Sequence, residues 1–202
     1  SALRSSPRAR LISKPVPKSP SFRAPPIWRT TMPGAAPAAT PVRGAMIVTA
    51  GMFYLVLGHR SGRVKLLTNL GAYSERRSGL PPWCSLPLGV LSGALLIAVF
   101  GMYWDISTHL DAGRDPGPFA NASHYFILVG LFGVFFAGLL AIFLPTETPG
   151  PTAIRLPGGL EAPLGGLLIL VCSGIALTGF PLDDVWHRIF GQDVTLWGPT
   201  HL

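Results

Sequence analysis

Residues 86–104 read LPLGVLSGALLIAVFGMYW, nineteen residues without a charged side chain. A helix rises about 1.5 Å per residue, so a stretch of this length crosses the roughly 30 Å hydrocarbon core of a bilayer. Two similar stretches follow, Tyr125–Leu144 and Leu164–Leu182. The sequence therefore predicts an all-α fold: a polytopic transmembrane helical protein with at least three spanning helices.

Small residues recur within the first two of these spans. Glycine is unfavourable in a soluble helix, but in lipid it lets neighbouring helices approach closely. We therefore expect helix contacts at Gly89, Gly93, Gly130, Gly133 and Gly138.

The positive charges are segregated along the chain. Of the 16 Lys and Arg residues, 13 precede Asp105, and Glu75 is the only acid in that part. A basic flank without interleaved aromatic residues is typical of the cytoplasmic side of a membrane protein rather than of a nucleic-acid groove. The lipid bilayer is therefore the predicted partner and nucleic acid is not. The positive-inside rule then places the ends of the first and third spans, at Asp105 and Asp183, on the extracytoplasmic face.

The chain divides by composition into an N-terminal region predicted to be disordered and basic, residues 1–80, and a transmembrane domain, residues 81–202. Residues 1–45 are rich in Pro, Ser, Ala and Arg, which predicts disorder. The same composition is typical of an organelle transit peptide, so it stays open whether this region belongs to the mature protein. The apolar run Ala45–Gly58 has only 14 residues, which predicts an interfacial segment rather than a span.

An internal repeat carries the polar chemistry. Trp-Asp-Ile-Ser-Thr-His (Trp104–His109) follows the first span, and Leu-Asp-Asp-Val-Trp-His (Leu182–His187) follows the third, at an offset of 78. Each copy has an Asp, a His four residues later, a Gly-containing loop with another Asp, and a second His, His124 or His201. Four of the five His and six of the nine acids lie in this repeat, which concentrates polar groups at one face.

The spacing predicts a metal site. Residues i and i+4 share one side of a helix, so Asp105 and His109 project together, and His124 opens the returning helix beside them. Two imidazoles and a carboxylate leave a position open for water or substrate and suit Fe(II), Zn(II) or Cu(II). The second copy predicts the same set from Asp183, His187 and His201. Candidates to orient the imidazoles are Asp111, Asp115 and Asp193. A plainer alternative is that each His only complements a helix dipole.

From Leu86 to Leu202, the order and spacing of these motifs resemble the C subunit of the copper membrane monooxygenases, the particulate methane and ammonia monooxygenases. That subunit has an Asp-x3-His element after a transmembrane helix and a Ser-His pair opening the next, as in Asp105, His109, Ser123 and His124. Its second element, with Asn in place of Asp and a Trp near the first His, is similar to the copy at residues 183–201. Asp183 departs from that pattern.

The resemblance implies copper or zinc at Asp105, His109 and His124, and a neighbouring oxygen-activating, catalytic set at Asp183, His187 and His201. It further implies two other membrane subunits as partners, in a trimer of heterotrimers. The substrate would be small and apolar or ammonia-like.

Two other classes of function stay open from the residues alone. One is a non-enzymatic membrane protein for metal handling or proton relay, and the other is a structural membrane subunit. The family's helix after the second His would begin at the end of this sequence, so we expect about 20 further apolar residues beyond Leu202.

Overall fold

The structure, a computed structural model, describes residues 39–112 and 121–190 of the 202-residue chain. Its helices are α1 (Ala39–Arg60), α2 (Leu66–Ser78), α3 (Pro82–Ala112), α4 (Ala122–Phe143) and α5 (Leu164–Phe190). An antiparallel hairpin of β1 (Ala153–Leu156) and β2 (Leu160–Pro163) joins α4 to α5. Four of the described helices, all except α2, are long and apolar enough to cross a membrane. The fold is that of a multi-pass helical membrane protein.

The three predicted spans are confirmed as α3, α4 and α5, and two of these helices extend well past the apolar stretch. Helix α3 starts with Pro82, whose missing N–H costs nothing at the first helical position. It continues through the first polar motif as far as Ala112. Asp105 and His109 therefore belong to the same continuous helix as the span itself.

Helical structure begins earlier in the chain than predicted. The 14-residue bounds Ala45–Gly58 are too short, because α1 supplies a candidate span of 19 residues, Val42–Arg60, which is long and apolar enough to cross a membrane. Arg43 lies near the end of that span, where a long side chain can keep its charge in the head-group region. Disorder through residue 80 likewise does not hold for α1 and α2, while residues 1–38 lie outside the described part of the chain.

Helix α4 lies at the centre of the bundle and packs against α3, α5 and α1. A Cβ on Gly130 would stand 2.5 Å from the Cβ of Ala98 on α3, and one on Gly138 would stand 2.7 Å from the backbone nitrogen of Leu170 on α5. Glycine is needed at both positions for this close approach, as expected. Gly89 and Gly93 differ from the expectation, because nothing in the structure lies within 4 Å of a Cβ built there.

A buried hydrophobic core lies at the end of the bundle that carries the β-hairpin, which we call the hairpin end. Val56 of α1, Leu67 of α2, and Leu139, Leu140 and Leu144 of α4 and its C-cap form a buried cluster there. Next to it, Arg60 Nη1 donates a 2.7 Å hydrogen bond to the carbonyl oxygen of Pro145. This hydrogen bond joins the C-terminal ends of α1 and α4. The polar residues Asn121, Ser123 and His124 lie at the opposite, N-terminal end of α4.

The hairpin itself was not part of the sequence prediction. Gly158 and Gly159 have φ values of 82° and 77°, a conformation that glycine adopts without strain and that reverses the chain tightly. The Thr148 hydroxyl and the Arg155 guanidinium both donate to the carboxylate of Glu161. The hydrogen bond from Thr148, and then that from Arg155, hold the pKa of Glu161 below its ordinary value.

Candidate metal centre

Asp105 and His109 face the same side of α3, as predicted from their spacing. The two side chains are one helical turn apart, and His109 Nε2 lies 3.5 Å from Asp105 Oδ2. Both are partly exposed, with 19% of the Asp105 side chain and 33% of the His109 side chain accessible. The end of α3 thus presents a carboxylate and an imidazole that are held together but still reachable by a small ligand.

His124 joins them from the first turn of α4. Its Nε2 lies 2.9 Å from Asp105 Oδ1, and the two imidazole ring centres are 6.4 Å apart. The turn that places it begins at Asn121, whose side-chain oxygen accepts a hydrogen bond from the backbone N–H of Ser123. Asn is among the best residues for this N-cap role, and it fixes where the helix starts. The predicted convergence of these three side chains is therefore present.

The distances within the cluster are close to those a metal ion requires. One ligand atom from each of Asp105, His109 and His124 lies within 4.8 Å of the other two. Metal bonds to His nitrogen and carboxylate oxygen of about 2.1 Å place tetrahedral donors roughly 3.4 Å apart. The two His-to-Asp distances, 2.9 and 3.5 Å, bracket that value. The three groups thus lie near enough to one another for their side chains to adjust around one ion.

The donor set consists of two imidazoles and one carboxylate. In comparisons with known proteins, no family model, no curated protein and no solved structure matches this chain. The ligand types suit Cu(II), Zn(II) and non-haem Fe(II), and three protein ligands leave a coordination position for water or substrate. The cluster is thus chemically able to hold a transition metal in an open site.

Two further residues fix the Asp105 carboxylate. Asn121 Nδ2 and Ser123 Oγ each donate a 2.7 Å hydrogen bond to Asp105 Oδ1. Ser123 is fully buried and Asn121 is 7% exposed, so water competes little for either bond. With Oδ1 accepting from these two donors and lying beside His124, Oδ2 is the oxygen turned toward His109. Ligand-orienting hydrogen bonds of this kind tune metal affinity.

This orienting pair differs from the sequence prediction. Asp111 is exposed at the end of α3, and Asp115 and Asp193 lie outside the described residues. The structure instead gives the role to a neutral amide and a hydroxyl, acting on the carboxylate rather than on the imidazoles. Asn121 could have been found as a helix-capping residue three positions before His124.

The helices approach closely just below the site. A Cβ on Gly101, one turn before Asp105, would lie 2.8 Å from the backbone nitrogen of Ile127 and 2.8 Å from the Cβ of Phe126. Phe126 packs in turn on Trp104 and Phe100, with ring centres 5.5 and 5.3 Å apart. The glycine lets α4 come near enough for His124 to reach Asp105, and the three partly exposed aromatic rings pack against one another beside this close approach.

Helix α5 reaches the same end of the bundle. The ring of Phe180 meets the ring of His124 edge to face, with centres 5.6 Å apart. Asp183 of the second motif comes three residues after Phe180 on this helix and is partly buried. The side chain of His187 and the whole of His201 lie outside the described residues, so the second predicted set stays a prediction.

Proposed function

We propose that this chain is the metal-binding integral membrane subunit of a copper-dependent monooxygenase complex. Its first metal would be held by Asp105, His109 and His124. The convergence of these side chains from two membrane helices carries the proposal. A role in helix capping or in complementing a helix dipole would not require His124 to contact Asp105 and His109, which lie 19 and 15 residues earlier in the chain. In the resembling family the substrate is small and apolar or ammonia-like, and dioxygen is the oxidant.

Copper fits the donor set, and zinc and iron fit it too. Copper would supply one-electron chemistry with dioxygen when bound. The chain's own residues then have separate tasks. Asn121 and Ser123 hold the carboxylate of Asp105, both imidazoles face it, and Phe180 covers one side of His124. Together they preorganise the site, which limits the rearrangement needed on binding.

The set Asp183, His187 and His201 is proposed as the neighbouring, oxygen-activating site. The contact between Phe180 and His124 supports this proximity, because the second motif starts one turn further along α5. The rest of the complex would cover apolar faces such as those of Leu96 and Ile175, which are 73% and 65% exposed here.

The proposed orientation has the metal cluster on the extracytoplasmic face. Five cations lie at the end of the bundle opposite Asp105, where Arg60 ends the α1 span and the other four precede the α3 span: Arg60, Arg63, Lys65, Arg76 and Arg77. An excess of cations in a short connection marks the cytoplasmic side.

A proton-relay or metal-handling role is the second candidate. The observation that favours it is the direct approach of both imidazoles to opposite oxygens of one carboxylate, at 2.9 and 3.5 Å. Such a chain of groups can pass protons without redox chemistry. The two candidates share the site and differ in whether dioxygen is consumed.

Metal analysis of the full-length purified protein tests the site. We expect the double variant His109→Ala/His124→Ala to lose most of the bound metal. His59→Ala is the matched control, because His59 lies at the other end of the bundle beside Thr68. Equal metal content in the double variant and the wild type would remove the proposed site. Product formation that depends on dioxygen, in membranes containing the whole complex, would then separate the monooxygenase from the relay.

A further inference from the structure

Helix α2 occupies a fixed place beside the membrane boundary. It connects α1, whose span ends at Arg60, with α3, whose span starts at Pro82. Its 13 residues extend about 20 Å, too short to cross a bilayer. One side is held on the bundle: Leu67 is 2% exposed, and Ser74 Oγ lies 2.8 Å from Ser85 Oγ of α3. The helix therefore lies at the hairpin end, at the level where the spans leave the hydrocarbon.

The side of α2 next to this buried one carries an apolar stripe. Leu66, Leu70, Tyr73 and Arg77 follow at intervals of four, three and four residues, so they line one side of the helix. We call these four residues the outer face of α2. Its first three side chains are 51%, 41% and 52% exposed. Helix α2 already packs on the bundle through a different side. An additional exposed stripe of large apolar residues marks a surface that contacts lipid or another protein.

Cations border this stripe. Arg76 and Arg77 lie in the last turn and Lys65 precedes the helix, while Glu75 is its only acid. The Arg77 guanidinium stands 5.6 Å from the centre of the Tyr73 ring, and its Nε donates a 3.3 Å hydrogen bond to the Tyr73 hydroxyl. The charge is thus held at one end of the apolar stripe. A guanidinium presents planar donors that match a phosphate group.

We propose that the outer face of α2, together with the neighbouring Arg76, binds anionic phospholipids at the membrane surface. Leu66, Leu70 and Tyr73 lie against the upper acyl chains, and Arg76 and Arg77 bind the lipid phosphates. Apolar residues beside a basic cluster, next to a membrane span, are the combination that selects anionic over zwitterionic lipid. This surface is separate from the metal cluster and does not depend on it.

Native mass spectrometry of the full chain in detergent tests this proposal, with phosphatidylglycerol and phosphatidylcholine added in parallel. We expect the wild type to retain phosphatidylglycerol preferentially. Each cation near an anionic surface contributes about fivefold in binding, so Arg76→Gln/Arg77→Gln should weaken that preference about tenfold or more. The matched control is Arg155→Gln, which removes a 90% exposed cation from the β-hairpin at the same end of the bundle.

The double variant keeping the wild-type preference would overturn the proposal, and so would an equal loss in Arg155→Gln. If the double variant fails to fold, the wild type alone decides, because the preference for phosphatidylglycerol must fall as salt is raised. A preference that salt does not change would contradict it. Full displacement of the lipid by inorganic phosphate would also contradict it, since the leucine stripe would then contribute nothing.

Discussion

Replacing Gly101 by alanine should damage the proposed metal centre without changing any of its proposed ligands. The added Cβ would lie 2.8 Å from two atoms of α4, whereas ordinary contacts begin at about 3.4 Å. Helices α3 and α4 would thus have to part by about 0.6 Å. The backbone nitrogen of Ile127 is one of the two atoms, so a side-chain rotation cannot relieve the clash. The hydrogen bonds from Asn121 and Ser123 to Asp105, now 2.7 Å, would lengthen toward about 3.3 Å, and the carboxylate would lose its fixed orientation.

Loss of hydrogen bonds that orient a metal ligand typically weakens metal affinity about 10–100-fold, so Gly101→Ala should weaken binding at least tenfold, or about 1.4 kcal/mol. The measurement is a competition titration of the purified protein with a chelator of known affinity for Cu(II). Gly93→Ala is the matched control, because it adds the same methyl group to α3 with nothing within 4 Å. Wild-type affinity in Gly101→Ala would refute the reasoning, and so would an equal loss in Gly93→Ala.

Three further predictions concern the orienting hydrogen bonds, the core and the hairpin. Ser123→Ala removes a 2.7 Å hydrogen bond to the ligating carboxylate and should weaken Cu(II) binding 10–100-fold, with an altered electron paramagnetic resonance spectrum. An unchanged spectrum would contradict this role. Leu139→Ala should lower the free energy of unfolding by about 2–5 kcal/mol, whereas Leu96→Ala, 73% exposed, should change it little. Equal effects in detergent-based unfolding would count against the assigned core. Because the Thr148 hydroxyl lowers the pKa of Glu161, this interaction stabilises the hairpin above the carboxyl's unfolded pKa. That contribution is lost as the pH falls through the lowered folded value, so the protection factors of the β2 amides, which are corrected for the intrinsic pH dependence of exchange, should fall on acidification. Thr148→Val should remove part of this response, and a response equal to the wild type's would contradict the assignment.

The first metal set could be predicted because its geometry is local. The spacing of Asp105 and His109 is imposed by the helix, whatever the rest of the fold does. His124 could be added because it opens the next apolar span. Asn121 could not be assigned to the site, since its amide crosses from the cap of α4 to α3. The residue pattern within one helix does not show which side chains of another helix it will contact.

The extent of the N-terminal helices was harder to predict for a different reason. A count of uninterrupted apolar residues places the start of the first segment at Ala45, because Arg43 and Gly44 interrupt the run before it. Charged and small residues near a helix end are compatible with a span, since the long side chain can reach the interface. The hairpin had a turn signal in Gly158 and Gly159, but its four-residue strands are too short to show alternation.

The close spacing of the proposed metal ligands along the chain has a consequence for biosynthesis. Asp105 and His124 are 19 residues apart, and α3 and α4 can pair before α5 has been made. Contacts between neighbours in sequence form early, and domains fold as the chain emerges. Phe180 arrives later and covers the ring of His124. The order of translation thus provides an interval in which an ion can enter a finished but uncovered site.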